Sequence, residues 1–284
     1  MPFIAIIGSG ALGGAIAHTL ALRDHLPEVR LIDASGAVAR GKALDIQQSG
    51  PVDNFSTRVT AADSIEAAAG AAVVVIADAA AGSGEHAGDA GLGLVRQLVR
   101  AGCDAPLLFA GATQSSLMAM AVTELHVARQ RVLGSAPLAL ESALRALAGL
   151  AIDGSAVEVS LRVVGVPPRH AIVAWETSTA YGRPLSSALP PHEIAGLSAR
   201  IPGLWPPGPF ALGAAAARVA EAIARGSRKQ FSCFVVADDG PVRAAVVSLP
   251  VELGPTGVIR VLEPALTRQE RTGMENAVQK AGGK

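Results

Sequence analysis

The sequence predicts an α/β protein: a doubly wound parallel sheet with helices on both faces, followed by a C-terminal mixed α+β lobe. Three observations carry that expectation. The chain opens on an apolar run, Phe3-Ile4-Ala5-Ile6-Ile7, continuous enough for a strand buried on both faces. A Gly8-Ser9-Gly10-Ala11-Leu12-Gly13 turn follows, then a Pro-free amphipathic stretch over 11–23 and a second apolar strand over 29–32 that ends in Asp33, 20 residues past Gly13. Strand-like and helix-like segments then alternate up to residue 134, after which the rhythm changes to strands of alternating apolar and polar residues.

Each part of the opening unit has a physical task. Gly8 permits the tight turn, Gly10 lets the backbone approach a pyrophosphate, and Gly13 lets the helix pack closely on the strand. The helix N-terminus offers unpaired N–H groups and partial positive charge to phosphates. Asp33 stands where a carboxylate accepts hydrogen bonds from an adenosine ribose. Strand, glycine turn, helix, strand and acid together make the fingerprint of a Rossmann lobe. The expected cofactor-binding residues are Gly8, Ser9, Gly10, Ala11, Leu12, Gly13 and Asp33. A carboxylate at 33 repels a 2′-phosphate and Ala34-Ser35-Gly36 brings no arginine to receive one, so the expected nicotinamide dinucleotide is NAD rather than NADP.

Further along, 34–48 has helical character and Gly50-Pro51 is expected to stop it. A short strand is expected at 57–60, a brief helix at 64–69 and a buried strand at 72–77. The loop over 79–91 holds four glycines and lies where ligands bind in open α/β sheets. Helices at 92–101 and 115–127, with strands at 106–110 and 131–134, complete a first domain over 1–135. The second domain, 136–284, begins with a helix at 138–150, then strands at 157–166 and 171–176, a proline-rich connection over 183–210 with a short helix near 192–200, and a long helix at 210–225. Strands at 231–237, 244–249 and 258–261, turns at Asp238-Asp239-Gly240 and Gly254-Pro255, and a final helix at 267–281 end the chain.

Composition bounds the function. The chain has 284 residues, half of them apolar and only 3% aromatic, so it can bury a sizeable aliphatic core in two lobes. Zero net charge argues against nucleic acid or an anionic membrane as a partner. The most hydrophobic window, 67–81, contains Gly70 and Asp78 and is too short to span a bilayer. Two cysteines, Cys103 and Cys233, show neither metal spacing nor a disulfide framework, which fits a reducing cytoplasm.

Over nearly its whole length the chain resembles the malate/lactate dehydrogenase family. The resemblance is carried by residues 8–17, by 29–33 with Gly41-Lys42-Ala43-Leu44-Asp45, by 163–175, and by Leu249-Pro250-Val251-Glu252-Leu253-Gly254-Pro255-Thr256-Gly257-Val258-Ile259. It implies NAD-dependent oxidoreductase chemistry on a small 2-hydroxy or 2-oxo acid. In that family a His shuttles the proton, an Asp holds the His, one Arg grips the substrate carboxylate, and a loop Arg and an Asn polarise and orient the carbonyl. It also implies a homo-oligomer. Matched position by position, most of that machinery is replaced. The family's Gly-x-His-Gly-Asp stands against Gly165-Val166-Pro167-Pro168-Arg169, its Asp-Ser-Ala-Arg against Glu141-Ser142-Ala143-Leu144, and its Asn falls near Thr113-Gln114. No arginine lies between Arg58 and Arg96.

The expectation is therefore an NAD-binding member of divergent active site, without ordinary malate or lactate turnover. The alternative is an oxidoreductase on a less anionic small-molecule substrate, with Glu141 and His170 as a relocated catalytic pair and Arg169 or Arg145 as anion anchor. His86 could fold over a bound cofactor. His18, His25, His126 and His192 show no convergent partners, and no metal site is expected.

Overall fold

The computed structural model describes residues 2–82, 84–237 and 244–282. The turn expected at Asp238-Asp239-Gly240 lies outside the described residues. The first half runs β1 Phe3–Ile7, α1 Ala11–Arg23, β2 Glu28–Ile32, α2 Gly36–Asp53, β3 Arg58–Ala62, β4 Val73–Ile76, α3 Gly88–Arg100, β5 Leu107–Phe109, α4 Ser115–Thr123 and β6 Val132–Gly134. The second half continues with α5 Ala136–Ala151, β7 Val159–Ser160, β8 Val163–Val166, β9 His170–Val173, β10 Thr179–Ala180, β11 Arg183–Pro184, α6 Pro191–Arg200 and α7 Pro209–Ala224. It closes with β12 Gln230–Val236, β13 Val246–Gly254, β14 Gly257–Val261 and α8 Arg268–Gly282.

The first six strands lie parallel in the order β3-β2-β1-β4-β5-β6. This is the doubly wound Rossmann arrangement, whose topological switch falls between β1 and β4. All five residues of β1 and all four of β4 are buried, as their apolar runs require of strands covered on both faces. The sheet does not stop at β6. It continues antiparallel through β12, β13, β8 and β9, with β14 paired to β13. Among the described residues both halves of the chain thus build one eleven-stranded sheet and share one large aliphatic core, while a second buried cluster gathers around Leu140, Leu144, Val159 and Leu161.

Three local expectations shift. α2 continues through Pro51 for most of a turn and ends at Asn54, whose positive φ of 57° reverses the chain. The expected strand over 157–166 is split: β7 joins β10 and β11 in a separate three-stranded sheet, and only β8 enters the main one. β13 runs on through Pro250, which sits opposite Ser232 and still offers its carbonyl to the Leu262 amide at 2.8 Å.

Helices α1 and α7 press together tightly enough that a Cβ on Gly213 would crowd Ala15. Their seam is tied by Glu221 of α7, which pairs with Arg23, accepts from Arg225 at 3.2 Å and meets His25 Nδ1 at 2.9 Å. His25, expected without a partner, therefore has a structural one.

Candidate functional site

The site grows from the carboxyl ends of β1, β2 and β4, where the parallel strands deliver their following loops to one edge of the sheet. Gly8 has φ of 103°, open to glycine at little strain, and a Cβ there would overlap the Asp78 carbonyl. A Cβ on Gly13 would overlap the Gly8 carbonyl, so helix and turn can meet only without side chains. Lys42 of α2 fastens the turn from the other side, donating from Nζ to the Gly10 carbonyl at 2.6 Å.

Asp33 sits just past β2, 7% exposed. Its carboxylate accepts from the Ser9 and Ala80 amides on Oδ2 and from the Ser35 amide on Oδ1, each at 2.8 Å. Burial opposes its charge, but the three amide bonds outweigh that and hold its pKa below the usual carboxylate range. A carboxylate has about four acceptor positions, so one remains for a ribose hydroxyl.

Beside Asp33 opens a cavity of about 270 Å³, walled by Ile7, Ile32, Ile65 and Leu94 and reached by His86. It falls just under the roughly 300–1,000 Å³ of pockets that hold drug-sized ligands, a size that suits the nucleoside half of a dinucleotide. Burial pushes the His86 imidazole toward its neutral form, against the attraction of Asp33 and Asp78. Its amide donates to the Ala77 carbonyl at 3.0 Å and its carbonyl accepts from Gln114 Nε2 at 3.0 Å, so His86 is held at the cavity rather than free in solvent. A larger cavity of about 560 Å³ lies at the other end of the sheet, before β4, β5 and β6, away from where open α/β sheets bind ligands.

Asp78, two residues past the end of β4, was not expected to take part. Its Oδ2 accepts from the Leu12 amide at 3.0 Å and its Oδ1 from the Gly13 amide at 2.8 Å. Those are two of the first-turn N–H groups of α1, of the kind a glycine turn presents to a pyrophosphate. A second loop carboxylate behaves likewise: Glu85 accepts from the Ala112 and Thr113 amides at 2.7 Å each and from Thr113 Oγ1 at 2.5 Å. Gln114, near the family's Asn position, is spent on the backbone, with Oε1 on the Gly111 amide at 2.9 Å and Nε2 on the Ala77 carbonyl at 3.2 Å. An acid that ends the apolar run Val73-Val74-Val75-Ile76-Ala77, in a fold that opens on a glycine turn, is the sequence signal that could have found Asp78.

The relocated pair is not assembled. Glu141 of α5 is 2% exposed, accepts from the Val163 amide at 2.9 Å and from the Ser232 hydroxyl, and stands 3.6 Å from Arg162. Burial raises its pKa, against Arg162 and those hydrogen bonds. His170 is paired with Val166 at the opposite end of the short β8 strand from Val163. At about 3.4 Å per residue that end is roughly 10 Å away. No hydrogen bond or ion pair joins the two among the described residues. Arg145 donates to the Val157 carbonyl at 3.1 Å, Arg169 is exposed in the hairpin turn, Leu144 is fully buried in the second cluster and Pro167 is buried. Among the described residues no group of three metal-ligating side chains occurs, and no helix is long and apolar enough to cross a membrane.

Residues 3–97 match the family model for the lactate/malate dehydrogenase NAD binding domain. The malate dehydrogenase of Roseobacter denitrificans is 27% identical over 99% of this chain and 95% of its own length. That of Desulforudis audaxviator is 25% identical over 99% and 96%. Among solved structures, the lactate dehydrogenase of Cryptosporidium parvum aligns with a TM-score of 0.85 at 21% identity, covering 99% of this chain and 95% of that one. The malate dehydrogenase of Picrophilus torridus aligns at 0.86 and 18%, with the same coverage. At those identities the structural likeness speaks for the fold alone. Residues 3–97 thus match a lactate/malate dehydrogenase NAD binding domain, with NAD as the cofactor, and the chain as a whole is similar to malate dehydrogenases.

Proposed function

We propose that the protein binds NAD and does not carry out the family's ordinary malate or lactate reaction at a useful rate. The observation that carries this reading is the pairing of position and environment at Leu144 and Pro167. The position that resembles the family's carboxylate-binding arginine holds an aliphatic side chain sealed in a core, and the position of the proton-shuttling histidine holds a buried proline. An anionic substrate taken out of water needs a guanidinium or its equivalent, and hydride chemistry on a hydroxyl needs a proton acceptor within hydrogen-bond reach. NAD, when bound, supplies a hydride acceptor. What this chain contributes is the ribose-facing carboxylate of Asp33, the backbone of 8–13 and the half-buried imidazole of His86.

The division into lobes near residue 135, a cytoplasmic location and a homo-oligomeric state belong to the same proposal. Buried free thiols at Cys103 and Cys233 support the location. Phe210, 85% exposed at the start of α7 beside Lys42 and Ile46 of α2, supports the oligomer, and Phe210→Glu should dissociate it in light scattering.

Ordinary malate turnover, which the names of the relatives suggest, and a Glu141–His170 enzyme are the competing readings. The second needs the pair to close a gap that β8 now spans. Calorimetry separates the readings: NADH should bind, while oxaloacetate or pyruvate added to the NADH complex should give no heat of binding. Saturable binding of either acid to that complex would reject the proposal.

A further inference from the structure

We propose that Asp78 is an internal occupant of the pyrophosphate place, so that this chain holds its cofactor mainly through the adenosine half and must displace its own carboxylate to seat the phosphates. The inference rests on the NAD-binding reading above and deepens it. Three observations support it independently of the family.

First, the Asp78 carboxylate already accepts from the Leu12 and Gly13 amides, two of the first-turn N–H groups that the start of α1 offers an anion. A helix N-terminus favours one negative group there, and a carboxylate on the same chain is always present at high local concentration. Second, the contact is close: a Cβ on Gly10 would overlap the Asp78 side chain, so the space over the turn is filled. A phosphate with Asp78 in place would set two like charges within contact distance on one pair of donors.

Third, the backbone fixes this arrangement. The Gly10 amide donates to the Asp78 carbonyl at 3.0 Å, and Asp78 is bridged to Glu85, whose own carboxylate caps the Ala112 and Thr113 amides. By contrast the adenosine side is open, with the cavity of about 270 Å³ beside Asp33. The site is therefore divided into an available nucleoside pocket and a self-satisfied phosphate cradle.

The test compares adenosine with NADH by calorimetry on the intact protein, Asp78→Ala and Asp78→Asn. Asn keeps an oxygen for the Gly13 amide, so it guards against a variant that fails only because it misfolds; unfolding curves without ligand check both. The wild-type protein should bind adenosine and NADH with dissociation constants within about threefold of each other. Asp78→Ala should tighten NADH about 10- to 100-fold, the worth of restored hydrogen bonds to a charged group, Asp78→Asn should tighten it by a smaller factor because its neutral oxygen still competes for the Gly13 amide, and both should leave adenosine unchanged. Tight NADH binding by the wild type with no gain in either folded variant would overturn the Asp78 proposal while leaving the NAD reading intact. Binding of neither ligand by any of the three proteins would overturn both.

Discussion

Leu144→Arg restores in name the family's carboxylate-gripping residue, and the structure says what that side chain would meet. Leu144 is fully buried on α5, in contact with a cluster that includes Leu140, Val159, Leu161 and Val163. Removing the leucine alone, in Leu144→Ala, should destabilise the protein by about 2–5 kcal/mol through lost transfer energy and a cavity. Arginine adds overpacking and a buried cation. The carboxylate one turn earlier on the same helix, Glu141, is already engaged by the Val163 amide, the Ser232 hydroxyl and Arg162. A charge left without a full partner in such a place destabilises by about 3–5 kcal/mol. Against a total stability of roughly 5–15 kcal/mol that is a large fraction. In urea the midpoint should fall by about 1–2 M at an m-value near 3 kcal/mol/M. If Leu144→Arg keeps its midpoint within about 0.3 M of the wild type and gains affinity for oxaloacetate, the position still faces a substrate space and the reasoning fails.

Other outcomes follow from the electrostatics. Burial of Glu28 works against its charge, but hydrogen bonds from Arg30, Arg58 and Thr60 prevail and hold its pKa at about 2, against an ordinary 4.5. A depressed folded pKa means the contribution is full above pH about 4.5 and is lost as pH falls toward 2; screened by solvent around Arg58, it is on the order of 1–2 kcal/mol. Glu28→Gln should flatten that part of the acid-unfolding curve and leave the curve above pH 6 parallel to the wild type. Glu141→Gln should lower stability by about 1–2 kcal/mol, since an amide oxygen still accepts from Val163 and Ser232, and should leave NADH affinity unchanged. A loss of NADH binding in folded Glu141→Gln would place that carboxylate at the cofactor after all. Gly13→Ala should weaken NADH binding and destabilise the protein by about 1–3 kcal/mol, because its methyl would meet the Gly8 carbonyl.

The parallel half of the sheet was legible because buried strands write themselves as unbroken apolar runs, and 3–7 and 73–76 are such runs. The glycine turn and Asp33 were legible because their spacing is set by one β-α-β unit. The joining of β6 to β12 was not, because Leu133 opposite Val235 is a pairing across a hundred residues that no local pattern records. Pro51 and Pro250 misled for the opposite reason: each is a local stop signal overruled by the packing of the element that contains it. His170 and Glu141 looked adjacent because both fall in family-like segments, yet the β8–β9 register sets them at opposite ends of a strand. Asp78 was hidden by its neighbours, since a lone acid after an apolar strand reads as the strand's end until the fold brings it to the amides of α1.

Hydride transfer itself is the direct test. Purified protein at a concentration equal to that of NADH, mixed with saturating oxaloacetate or pyruvate, should leave the nicotinamide absorbance unchanged for hours, even though NADH is bound. Stoichiometric loss of that absorbance within seconds to minutes, abolished by Gly13→Ala, would contradict the account.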